Sequence, residues 1–61
     1  MIKITRLNDK EIVLNCELIM LVEANPDTTI TMTTGSKFIV KESVEDIISL
    51  TKEFKREIYN I

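Results

Sequence analysis

The chain has no histidine, no tryptophan, and only one cysteine, one glycine and one proline. Each shortage removes a class of function. With Cys16 as the sole cysteine, no disulfide can close within the chain. One thiolate without any imidazole cannot supply the four-ligand set of a conventional zinc site. A phosphate-binding loop needs several glycines, so that backbone amides can approach the anion, and a lysine just before a helix. Gly35 is alone and precedes a strand-like segment, so "NPDTTITMTTGSKFIVKES" is not such a loop. An excess of positive charge is missing too: eight basic against ten acidic residues leave −2, which argues against a partner held by its phosphates. The longest strictly apolar run, Leu18 to Val22, is far shorter than the roughly 20 residues of a membrane-spanning helix. No basic segment followed by an apolar one opens the chain, so the cytoplasm is the expected compartment.

What remains is a chain of 61 residues, read as one domain over residues 1–61. A domain of about this size buries only about 60% of the surface its unfolded chain exposes. Without disulfide or metal, it depends on tight packing or on self-association. Its first forty residues show period-2 patterning broken by frequent turn signals; its last eighteen shift to a period near 3.6. Strands followed by one helix predict an α+β fold, with a small antiparallel sheet of about five strands and one C-terminal amphipathic helix. The strands are expected at about 2–7, 11–15, 18–24, 28–34 and 37–42, forming two hairpins plus a linking strand, and the helix at about 44–60.

Turn residues place the two hairpins. Asn8-Asp9 as a two-residue loop sets Leu7 opposite Lys10, Arg6 opposite Glu11 and Ile4 opposite Val13. Gly35-Ser36, with glycine first, reads as a type II′ turn. That register faces Met32 with Ile39 and Ile30 with Lys41, and puts Thr33 beside Phe38 and Thr31 beside Val40 on the other side. Both sides of the sheet would then carry apolar residues, whereas one helix covers only one side. Thr31, Thr33, Phe38 and Val40 are therefore the candidate surface for an interaction or for a homo-oligomer built through the sheet. A Phe38→Glu variant would probe it. The threonines are good strand residues because their branched Cβ packs well on a pleated surface.

Ser43 is the expected helix N-cap, with Asp46 three residues on as a short capping box. Val44, Ile47, Ile48, Thr51, Phe54, Ile58 and Ile61 form the apolar stripe. The acidic residues lie on turns or on the outer helix face, where solvation accounts for them without a catalytic role. Cys16, between Asn15 and Glu17, reads as a small packing residue, since nothing electropositive adjoins it in sequence. No enzymatic constellation and no cofactor site is expected.

Two segments go further. "MIKITRLNDKEIVLN" and "LIMLVEANPDTTITMTTGSKFIVKESVEDII" closely resemble the small bacterial flagellar proteins of the FlbD or SwrD swarming-motility family, from Met1 to about Lys55. The family pattern has glycine where this chain has Asp9, and a small or hydroxyl residue where it has Asn25. The resemblance implies a non-enzymatic accessory protein of the flagellum, cytoplasmic and located at the flagellar base. It implies support of motor power and swarming through contact with a motor or stator component. A carbon-storage-type RNA-binding regulator has similar length and element order and is the alternative, which the acidic balance disfavours.

Overall fold

A computed structural model describes residues 1–59, with side chains through residue 57. The order of elements is β1 (Ile2–Thr5), β2 (Glu11–Leu14), a single 3-10 turn (Cys16–Leu18), β3 (Ile19–Ala24), β4 (Thr28–Met32), β5 (Lys37–Val40) and α1 (Val44–Tyr59). Five antiparallel strands and a C-terminal helix make the α+β fold expected. The third strand starts later than predicted, because Asn15 caps the 3-10 turn by accepting the Glu17 N–H (3.1 Å). A cis Asn25–Pro26 bond lies in the β3–β4 connection.

Both hairpins close differently from the two-residue turns expected, and for the same reason. In the first, the Asp9 N–H donates to Arg6 O (2.9 Å) and the Arg6 N–H to Lys10 O (2.9 Å). In the second, the Gly35 N–H donates to Met32 O (2.9 Å) and the Met32 N–H to Ser36 O (2.8 Å). Each is a three-residue loop whose last residue sits in the left-handed region, Asp9 at φ 68° and Gly35 at φ 96°. Gly35 is therefore the last loop residue, and Ser36 lies beyond the loop.

The added loop residue shifts the pairing. Ile4 lies opposite Ile12 instead of Val13, so Ile12 and Leu14 turn inward and Val13 turns out, 61% exposed. In the second hairpin Ile30 lies opposite Phe38 and Thr28 opposite Val40. Directly paired residues share a face. Phe38 and Val40 thus join Ile30 on the core side, and the expected pairings of Thr31 with Val40 and Thr33 with Phe38 do not form.

Two ladders, β1-β2 and β3-β4-β5, meet where the end of β1 runs beside β5. The Leu7 N–H donates to Ile39 O (3.2 Å) and the Lys41 N–H to Thr5 O (2.8 Å), around an Arg6–Val40 bridge. The Glu42 carboxylate accepts the Thr5 N–H with both oxygens at 2.9 Å, which ties the chain leaving β5 to β1. The inner side buries Ile2, Ile4, Leu14, Cys16, Ile30, Met32 and Val40, and α1 closes it with Ile47. Val44, Leu50, Thr51 and Phe54 are half-buried along the same helix face. Leu50 belongs to that face although the expected stripe omitted it, and Ile48 is half-exposed on a flank. The Ile58 side chain, Ile61 and the expected helix end at residue 60 lie outside what is described. The capping box forms as predicted: the Asp46 N–H donates to Ser43 Oγ (3.1 Å), and the Ser43 N–H to Asp46 Oδ2 (3.2 Å).

The left-handed Asp9 gives a direct test of the first loop. A β-carbon in that region costs an ordinary residue about 1 kcal/mol or more, aspartate less, and glycine nothing. The Asp9–Lys41 ion pair is exposed and adds little. Asp9→Ala is expected to lower stability by about 1 kcal/mol while Asp9→Gly holds or raises it. Urea midpoints at constant slope measure this, and equal values for the two variants would rule out the three-residue loop.

Candidate interaction surfaces

The corrected register redistributes the candidate residues. Phe38, half-buried, and Val40, buried, face the core, and Thr33 stands exposed in the second loop. Only Thr31 remains on the outer side of the sheet, paired with Leu21 on one flank and Lys37 on the other. These neighbours hem it in so that it is 5% exposed. The four residues therefore do not form one surface.

Different residues do. Antiparallel pairing carries a row across the outer side from Leu7 beside Ile39, to Thr29, to Glu23, with Lys37, Thr31 and Leu21 in the next row. Leu7, Leu21 and Ile39 are all substantially exposed there, and Met20 protrudes at the irregularity between Ile19 and Leu21. A shallow depression of about 300 Å³ lies at one end, lined by Arg6, Leu7, Asn8, Lys37 and Ile39. Its apolar centre with a cationic and amide rim has the composition of a protein-contact patch. The Arg6 guanidinium sits 5.9 Å from the centre of the Phe38 ring, on the core side of the sheet that its bridge partner Val40 also faces.

A second concavity, about 320 Å³, runs between the 3-10 turn, β3 and one flank of α1. Cys16, Ile19, Val22, Ile47, Ile48 and Thr51 line it, and Lys52 and Lys55 stand on the helix bank. The Thr51 hydroxyl donates back to Ile47 O (2.9 Å), so its methyl is left to the groove. β3 hydrogen-bonds to β4 on one side only, which leaves its other edge unpaired among the described residues.

Among the described residues no group of three histidine, cysteine, aspartate or glutamate side chains is placed to hold a metal. No described helix is long and apolar enough to cross a membrane. The described residues present two apolar features, exposed side chains on the outer sheet face and a groove beside a strand edge.

Leu7 and Ile39 escaped the sequence reading because their adjacency depends on β1 meeting β5, a contact between residues far apart in the chain. Glycine in the family pattern at the place of Asp9 marks a left-handed residue, but that suits the second position of a two-residue type I′ turn as well as the last position of a three-residue loop, so it leaves the register open.

A family model described as FlbD, flagellar and swarming motility proteins, matches residues 1–59. No curated protein and no solved structure matches the chain.

Proposed function

Because the chain belongs to the FlbD family of flagellar and swarming motility proteins, we propose that it is a non-enzymatic accessory protein supporting flagellar motor output. It acts by protein–protein contact at the cytoplasmic base of the flagellum, on a stator or basal-body component. The observation that carries this reading is the outer sheet face, where adjacent Leu7 and Ile39 remain exposed beside Asn8 and Lys37, and Leu21 is exposed farther across the sheet. Exposed apolar side chains with polar neighbours are what a partner surface covers. The same face is where a second copy would pack, so self-association and partner binding draw on one surface.

Deleting the gene is expected to impair swarming on soft agar while leaving growth unchanged, with recovery on re-expression of the chain. Normal swarming in the deletion strain would refute the reading. Self-association is read by light scattering at micromolar concentration; a clean 7.0 kDa species would remove that clause and leave the rest standing.

A further inference from the structure

The groove between β3 and α1 is separate from the outer sheet face, on the opposite side of β3. Val22 and Ile19 line its floor half-buried, and Ile48 is 49% exposed on its bank. Three apolar side chains thus lean into one concavity without completing their packing. Alongside runs the unpaired edge of β3, a row of backbone donors and acceptors open to an added strand. Edge and groove together are what strand addition uses: main-chain hydrogen bonds fix the incoming segment, and alternate side chains drop into the apolar trough.

Charge identifies the occupant. Lys52 and Lys55 stand on the helix bank of the groove, and among the described residues neither takes part in an ion pair. Glu45 shares that helix flank but lies outside the groove lining. We propose that the β3–α1 groove binds an extended peptide segment of a partner protein whose groove-facing side chains, every second residue, are apolar with a carboxylate among them, the apolar side chains seated on Ile19, Val22 and Ile48 and the carboxylate meeting Lys52 and Lys55. A second copy suits the site poorly. Twofold pairing of one β3 with another brings the same lysine-bearing flank from both copies toward one axis, where like charges gather. The inference goes beyond the outer-face reading, since it concerns a different surface and names a different chemistry.

The test uses the full chain and two capped nine-residue peptides with serine at every second position, the positions between being valine and glutamate in one and valine and lysine in the other, so that one face carries both groups. Binding is followed by fluorescence anisotropy and by amide chemical shifts. The glutamate peptide is expected to bind at least tenfold tighter than the lysine peptide, with weakening as salt is raised. The shifts should centre on Ile19, Val22 and Ile48. In the Lys52→Glu/Lys55→Glu double variant, whose altered side chains are exposed, the preference should invert while circular dichroism stays unchanged. Equal affinity for both peptides, or no binding of either at millimolar concentration, overturns the proposal. So does a shift map centred on Leu7 and Ile39. Concentration-dependent shifts in the groove without peptide would show a second copy there, and overturn it too. None of these outcomes bears on the swarming phenotype, so failure here and failure of the motility reading are distinguishable.

Discussion

Ile30→Ala is expected to remove most of the stability of this domain. Ile30 is fully buried at the centre of β4, paired with Val22 on one side and Phe38 on the other. Its side chain therefore has neighbours on both strands and in the layer beneath, and no route by which solvent could refill the space. Truncating a buried isoleucine to alanine costs about 2–5 kcal/mol, more where the surroundings cannot collapse. A chain of 61 residues has only about 3–9 kcal/mol in total, at the usual 0.05–0.15 kcal/mol per residue. The loss should lower the thermal midpoint by well over 10 °C, given about 4–8 °C per kcal/mol in domains of this size. Ile30→Val, which deletes one methyl group, should cost about 1 kcal/mol. Val13→Ala, at a side chain 61% exposed, should stay within about 0.5 kcal/mol. Thermal and urea unfolding of the three variants at one protein concentration test the order. A small effect at Ile30 would mean that the core is not centred where the sheet register places it.

That register shows how far the sequence could be read. The elements, their order and the helix cap were legible because each rests on local chemistry: period-2 and period-3.6 patterning, turn residues, and a serine followed three positions on by aspartate. Pairing was less legible because two loop lengths compete for the same residues. "TTGS" accommodates a two-residue turn with glycine first, and equally a three-residue loop with glycine last. The choice decides the face of every residue in β5. The two-residue version turns Phe38 and Val40 away from Ile30 and creates an apparent second apolar side; the three-residue version gathers them into one core. Much of the two-sided character of the sheet was therefore a consequence of register. What persists on the outer side is smaller: Leu7, Leu21 and Ile39, with Met20 at the strand irregularity. The β3–α1 groove could not be read at all, because it exists only once a helix flank and a strand edge distant in sequence are brought together.

Ile39 and Phe38 are chain neighbours, so the two faces can be told apart by one substitution at each. Ile39 is 47% exposed on the outer side, beside Leu7 and Thr29. Ile39→Glu places its carboxylate in water within the free chain, so the fold should survive with a change of about 0.5 kcal/mol or less. In a complex the same carboxylate would be buried against a partner's apolar surface without a matching charge, which is costly. A strain carrying Ile39→Glu is therefore expected to swarm like the deletion strain while its protein accumulates at normal level and melts normally. Phe38→Glu should behave differently. Its ring packs against the core beside Ile30 and under the Arg6 guanidinium, and a carboxylate there loses both contacts. Removing a large aromatic side chain from such a position costs about 3–5 kcal/mol when it is fully buried, and this half-buried ring falls somewhat below that. Phe38→Glu should thus lose swarming through loss of the folded protein, visible as low abundance and a depressed melting temperature. The informative measurement is abundance and melting temperature beside swarm diameter for each variant. If Ile39→Glu swarms normally, the outer face is not the working surface. If Ile39→Glu unfolds and Phe38→Glu does not, the two faces of β5 are assigned the wrong way round.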